Sequence, residues 1–142
     1  MKRMIYQVAV GAQSKLYLHC IESVRQYCAK YGIEHIVQNE PILKIRPDMA
    51  VTGRSKEAVE RLGYMPIYEK ENAFTHLHKY DQVAIVDSDI YIRPTAPNIF
   101  EDLTNEYAFG AVAERELPCA KKYKSKIRKY SKAAFENLTD VD

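Results

Sequence analysis

Tyr80-Asp81-Gln82-Val83-Ala84-Ile85-Val86-Asp87-Ser88-Asp89-Ile90-Tyr91-Ile92 is the most informative stretch of the chain. Val83 to Val86 is a continuous apolar run, the pattern of a central strand covered on both faces. The run stops at two aspartates separated by one serine. Carboxylates two residues apart at a strand end converge on one cation if the backbone turns there. Hard oxygen ligands suit Mg²⁺ or Mn²⁺, ions that bridge to phosphates. In open α/β sheets, ligands gather beyond the C-terminal strand ends, where this pair falls. The alternative reading is a strand exit with two solvated aspartates that cap the next turn.

Working upstream, Ile5 to Val10 alternates, is rich in β-formers and ends at Gly11, which predicts a first strand. Ser14 is placed to cap a helix from Lys15 to Tyr31, with Leu16, Cys20, Val24, Tyr27, Cys28 and Tyr31 at helical spacing. Gly32 follows as the C′ residue. Ile33 to Val37 reads as a second strand. Strand, helix and strand within 40 residues are the βαβ signature of an α/β sheet. Pro41 and Pro47 break the next segment. Ser55 to Leu62 predicts a short capped helix closed by Gly63. Pro66 opens another through Lys79, with Ile67, Phe74, Leu77 and Tyr80 facing inward. Downstream, Pro94 and Pro97 make a rigid loop, Ile99 to Leu103 a helical turn, and Tyr107 to Ala113 a further strand. No internal repeat occurs.

Composition narrows the classes. The 142 residues are 46% hydrophobic and 28% charged, enough for one ordinary domain and unlike a disordered chain. No apolar run approaches the roughly 20 residues of a membrane helix, and Ile5 to Val10 is too soon broken for a signal peptide. The expectation is a soluble, cytoplasmic protein without a transmembrane segment. Cys20, Cys28 and Cys119 form no CxxC pair and are odd in number, which argues against a disulfide framework or structural zinc. Cys20 and Cys28 read as buried free thiols. The net charge of +2 is uneven: residues 121–142 hold seven Lys/Arg and three Asp/Glu. This basic C-terminal segment reads as a solvated helix face or a disordered tail, or as an attractor of anionic ligands.

Lys79 to Ile92 resembles the strand-and-Asp-x-Asp block of GT-A fold glycosyltransferases, and is most similar to their family-8-like members. Pro97-Asn98-Ile99-Phe100-Glu101-Asp102-Leu103 resembles the turn that follows in that family, and Phe109 to Glu114 its next strand. Val8-Ala9-Val10-Gly11 resembles its first strand and nucleotide loop. The resemblance implies a Rossmann-like fold with a mostly parallel central sheet flanked by helices. Residues 1–120 would form the nucleotide-sugar-binding α/β domain, and 121–142 the basic segment. It implies transfer of a sugar from a nucleotide diphosphate donor, a UDP-sugar first among them, to a hydroxyl of a sugar, lipid or protein acceptor. Asp87 and Asp89 would ligate Mn²⁺ or Mg²⁺, with Ser88 beside the nucleotide. Val10, Gly11 and Ala12 would line the base and ribose pocket. Lys70, 17 residues ahead of Asp87, would face the donor; Arg54 and Arg61 are weaker candidates for phosphate contact. Gln13 is the only amide in the loop after the first strand, a departure from the family pattern. The family's acceptor-side strand and late metal-binding His have no counterpart up to Asp142, so the resemblance implies a fold incomplete at the C-terminus. No nucleic acid partner is expected.

Three other readings compete. A haloacid dehalogenase-type phosphatase also uses Asp-x-Asp after a strand, but wants Thr or Val where Tyr91 stands. A nucleotidyltransferase wants a Gly-rich basic loop, and Gly11-Ala12-Gln13-Ser14-Lys15 is poor in both. The third is a non-catalytic nucleotide-binding domain, able to form a homo-oligomer through exposed sheet edges.

Overall fold

β1 (Arg3–Val8) carries four consecutive buried residues, Met4 to Gln7, which strand alternation sends to opposite faces. The computed structural model describes residues 1–11, 14–46, 53–102, 110, 111, 125 and 128, and of residues 53–56 and 58 the backbone alone. The chain divides into two units, Met1–Thr104 and Asn105–Asp142. In the second unit Gly110 and Ala111 are irregular, while Ser125 and Arg128 are helical. The strand expected over Tyr107–Ala113 is thus absent at its two described residues. The rest of it, Cys119 and most of the basic segment lie outside the described residues.

The first unit is α/β. β1 pairs in parallel with β2 (Glu34–Gln38) on one side and β3 (Gln82–Ile85) on the other. Parallel neighbours need a crossover, and α1 (Lys15–Tyr31) supplies the first. Its ends are locally encoded. Ser14 has extended backbone and its Oγ accepts the Tyr17 N–H at 3.4 Å; Gly32, at φ 64°, donates its N–H to the Cys28 carbonyl. The second crossover carries α2 (Gly53–Leu62) and a 3-10 helix (Pro66–His76).

The two faces of β1 make two cores. Ile5 packs with Val24, Tyr27 and Cys28 of α1, together with Ile33 and Phe100. Met4 and Tyr6 pack with Ala73 of the 3-10 helix, joined by Val8, Ile36, Tyr80 and Val83. Cys20 and Cys28 are buried free thiols, as expected. No helix among the described residues is long and apolar enough to cross a membrane.

Four expectations need correcting. The first strand begins at Arg3 and ends at Val8, and the second runs one residue later than read. Among the described residues the central strand is β1, not the Val83–Val86 run: β3 lies at an edge and Ile85 is 40% exposed. A continuous apolar run reports that both faces of a strand are apolar; it says nothing of whether both edges are paired. The segment after Pro66 is 3-10 rather than α, and Ile67, Phe74 and Leu77 point outward. The buried residues of this segment are Glu69 and Ala73 instead. Ala73 is small enough for close approach, and Glu69 is drawn in by hydrogen bonds.

α1 also clamps the chain after β3. Ser23 Oγ accepts the Ile92 N–H at 3.0 Å. Tyr27 Oη donates to the Pro97 carbonyl and accepts the Ile99 N–H, both at 2.8 Å. Tyr31 Oη donates to the Ala96 carbonyl at 2.8 Å and Lys30 Nζ to that of Pro94 at 3.0 Å. Asn98 then opens the single turn α3 (Ile99–Asp102): its Oδ1 accepts the Phe100 N–H as an N-cap and its Nδ2 donates to Glu101 Oε1.

Candidate functional site

Beyond the C-terminal ends of β1 and β3 the chain leaves a cleft of about 290 Å³. Val8, Val10, Gly11, Tyr17, Pro66, Ile67, Lys70, Asp87, Ser88 and Asp89 line it. Three pieces of chain meet there. The loop after β1 brings Val10 and Gly11, the latter left-handed at φ 71°, which suits a residue without Cβ. The start of the 3-10 helix brings Pro66, Ile67 and Lys70. The turn after β3 brings the two aspartates.

That turn is built from the strand outward. The β1–β3 ladder continues past β3, with the Val86 N–H bonded to the Tyr6 carbonyl at 3.0 Å. The backbone then reverses: the Ile90 N–H bonds to the Asp87 carbonyl at 3.1 Å, closing a four-residue turn with the aspartates at its first and third positions. This is the backbone turn that convergence of the two carboxylates requires. Downstream, the Ile92–Ser23 bond fixes the exit.

Lys70 forms an ion pair with Asp87 across the cleft. Both side chains are partly exposed, so the pair adds little stability and its partners remain free to exchange. Asp89 is exposed, and its carboxylate has no protein partner among the described residues. No group of three or more His, Cys, Asp or Glu comes together among the described residues. The cleft therefore offers two carboxylates to a cation. That set fits Mg²⁺ or Mn²⁺, which take one or two carboxylates and complete their shell with substrate phosphates and water. It does not fit zinc, which wants a fuller set of nitrogen and sulfur ligands.

Of the candidates from sequence, Val10, Gly11, Lys70, Asp87, Ser88 and Asp89 line this one cleft, and Ala12 lies outside the described residues. Arg61, exposed on α2, does not line it, and the Arg54 side chain is not described. Tyr17, Ile67, Pro66 and Val8 went unread. Tyr17 was within reach, because the first turn of a helix following strand one faces the strand ends.

Two buried networks hold the walls. Glu69, fully buried, accepts hydrogen bonds from Gln38 Nε2 (2.6 Å) and from the N–H groups of Ile42 (2.8 Å), Leu43 (3.1 Å) and Lys44 (2.7 Å). Burial alone would raise its pKa, but these four donors outweigh it and hold the carboxyl below the ordinary value. Gln38 is bonded to Tyr6 Oη, which also accepts from Asn72 Nδ2 at 2.9 Å. The phenol pKa is raised, chiefly by burial. This network ties the 3-10 helix, and with it Lys70, to β1 and β2. On the other sheet face, His35 Nε2 meets Gln7 Oε1 at 2.9 Å and Gln7 Nε2 meets the Asp87 carbonyl at 3.1 Å. The His35 pKa is lowered, first by burial and then by Arg25, against a smaller upward pull from Glu22.

A smaller hollow of about 180 Å³ lies between α1 and residues 91–94. Of its polar groups, Ser23, Tyr27 and Lys30 are bonded to the backbone of the adjoining loop, and His19, Glu22, Gln26 and Arg93 also line it. No family model, curated protein or solved structure matches the chain.

Proposed function

We propose that this protein is a metal-dependent glycosyltransferase that takes a sugar from a nucleotide diphosphate donor, with the donor bound in the cleft at the Asp87-Ser88-Asp89 turn. The observation that carries the reading is the meeting, at parallel strand ends, of two carboxylates, a lysine and a glycine loop that lie far apart in sequence. Asp87 and Asp89 would hold Mn²⁺ or Mg²⁺, whose charge neutralises the diphosphate and stabilises it as leaving group. Lys70 adds a point charge on the same side. It exchanges its Asp87 partner for a phosphate oxygen as the donor enters. Gly11 and Val10 leave room for the ribose, and Tyr17 and Ile67 offer apolar surface to a base.

A second reading is a nucleotide-binding module that does not transfer. One observation favours it. The charged side chains of the described lining are Lys70, Asp87 and Asp89, and donor binding uses all three. None of the carboxylates or the lysine then remains to activate an acceptor hydroxyl.

The test is a calorimetric and thermal-shift titration with UDP and other nucleoside diphosphates, with and without Mn²⁺, on the wild type and on Asp89→Ala. Binding that needs the metal and is lost in the variant supports the donor site. A ligand at a hundred times its Kd would stabilise the fold by about 2.7 kcal/mol. Release of UDP from UDP-sugars separates the two readings: turnover supports the enzyme, and binding without turnover supports the module. A folded wild type that binds no nucleotide with metal would remove both.

A further inference from the structure

Gln7 is a fully buried amide in the middle strand of the sheet. Packing does not call for one: Ile5, two residues earlier on the same face, is apolar and sits in the core. A buried amide is costly unless its groups are bonded, and here both ends are. Nε2 donates to the Asp87 carbonyl at 3.1 Å, and Oε1 lies 2.9 Å from His35 Nε2. The direction of this chain is determined. A carbonyl can only accept, so the Gln7 nitrogen must face Asp87. Its oxygen then faces His35, which must carry its proton on Nε2.

The Asp87 carbonyl receives a second hydrogen bond, from the Ile90 N–H that closes the aspartate turn. Its two lone pairs are therefore both used, one by the turn itself and one by the sheet beneath it. Ladder bonds end at Val86, and among the described residues the next backbone N–H bonded to another element is that of Ile92. Between them, among the described residues, Gln7 is the side chain that hydrogen-bonds the turn backbone to the sheet.

We propose that Gln7, held in one orientation by His35, is a positioning residue that sets the direction in which the Asp87–Ile90 turn presents its two carboxylates to the cleft. The role of those carboxylates rests on the function proposed above. Groups that orient ligating carboxylates are commonly worth roughly tenfold to a hundredfold in metal affinity.

The test compares Gln7→Met with the pair Gln7→Met/His35→Leu, which removes both partners and leaves no orphaned donor to unfold the sheet. Tyr27→Phe is the control, since it breaks partly buried hydrogen bonds of α1 to Pro97 and Ile99 and none to the turn. Affinity for Mn²⁺ with UDP is measured by calorimetry and by Mn²⁺ paramagnetic resonance, well below each variant's unfolding midpoint. Amide exchange at Ile90 and Val86 is followed by NMR without ligand. The expected result is binding weakened roughly tenfold or more in both Gln7 variants, unchanged in Tyr27→Phe, with faster exchange at Ile90 and retained protection at Val86. Wild-type affinity in the Gln7 variants, or an equal loss in Tyr27→Phe, overturns the proposal. If the wild type itself binds no Mn²⁺ with UDP, the donor-site reading falls. Exchange at Ile90 then decides the positioning role alone, and an unchanged rate overturns it.

Discussion

Glu69→Gln is the sharpest perturbation of the framework behind the cleft. Oε2 of the buried carboxylate accepts from Gln38, Ile42 and Leu43, and Oε1 from Lys44. An amide supplies one acceptor and one donor. In its better orientation the oxygen keeps the three-donor side, and the new NH₂ faces the Lys44 N–H. One charge-assisted bond, about 1.5–3 kcal/mol, is lost outright, and three others fall to neutral strength. Lys44, at φ 49°, is then free to leave a left-handed conformation that costs about 1 kcal/mol. Lys44 is exposed, so its freed N–H can reach water, which limits the damage. Removing a buried charge returns a further part. The expected net loss is about 2–3 kcal/mol in urea titrations followed by circular dichroism, with an unchanged denaturant slope. A pH dependence accompanies it. Because the folded pKa of Glu69 lies below the ordinary 4.5, its contribution is present above that value and is lost as pH falls through the folded pKa. Glu69→Gln lacks that acid-side loss. A variant within about 0.5 kcal/mol of wild type, or one with an undiminished acid-side loss, would refute the reasoning.

Other outcomes follow from single contacts. The lowered pKa of His35 means that the unfolded chain binds a proton the folded one refuses. Stability should therefore decline as pH falls through about 6.5, by at most about 1.4 kcal/mol per pH unit. His35→Leu should flatten that part of the urea-midpoint profile, and an unaltered slope would count against it. Burial pushes the Cys28 thiol to about 11, so about one in a thousand is thiolate at pH 8. In a Cys119→Ser background, alkylation at that pH should be much slower in native protein than in urea, and equal rates would show the thiol to be accessible. Gly32→Ala forces a Cβ into φ 64° at the end of α1, where no neighbouring atom would clash. The cost should be strain alone, about 1–2 kcal/mol by urea titration, and a neutral variant would mean that the cap relaxes.

The features that could be read from the chain are those whose causes are close in sequence. α1 begins and ends where Ser14 and Gly32 place it, because capping is settled within one turn of helix. The parallel β1–α1–β2 unit follows from its pattern, since a short crossover leaves few alternatives. Asp87 and Asp89 stood out because an apolar strand ended on them. Val10, Gly11, Lys70 and Ser88 line the same cleft by virtue of a topology that puts loop ends at one sheet edge.

What the chain did not disclose depends on contacts between distant segments. Glu69 is a charged residue in a polar helix until Ile42, Leu43 and Lys44 close over it. Ile67, Phe74 and Leu77 look like a core stripe until the fold leaves them exposed and buries Glu69 and Ala73 instead. Gln7 looks like the polar member of an alternating strand until His35 and Asp87 arrive from either side. Sequence by itself determined the α/β class and the boundaries of α1 and singled out the two carboxylates, because local propensity and face periodicity suffice for these. Tertiary structure alone decided that β1 is central, that Lys70 meets Asp87, and that Gln7 supports the turn. Edge pairing and side-chain partnership arise from which segments meet in space, and periodicity along one segment carries no record of its partners.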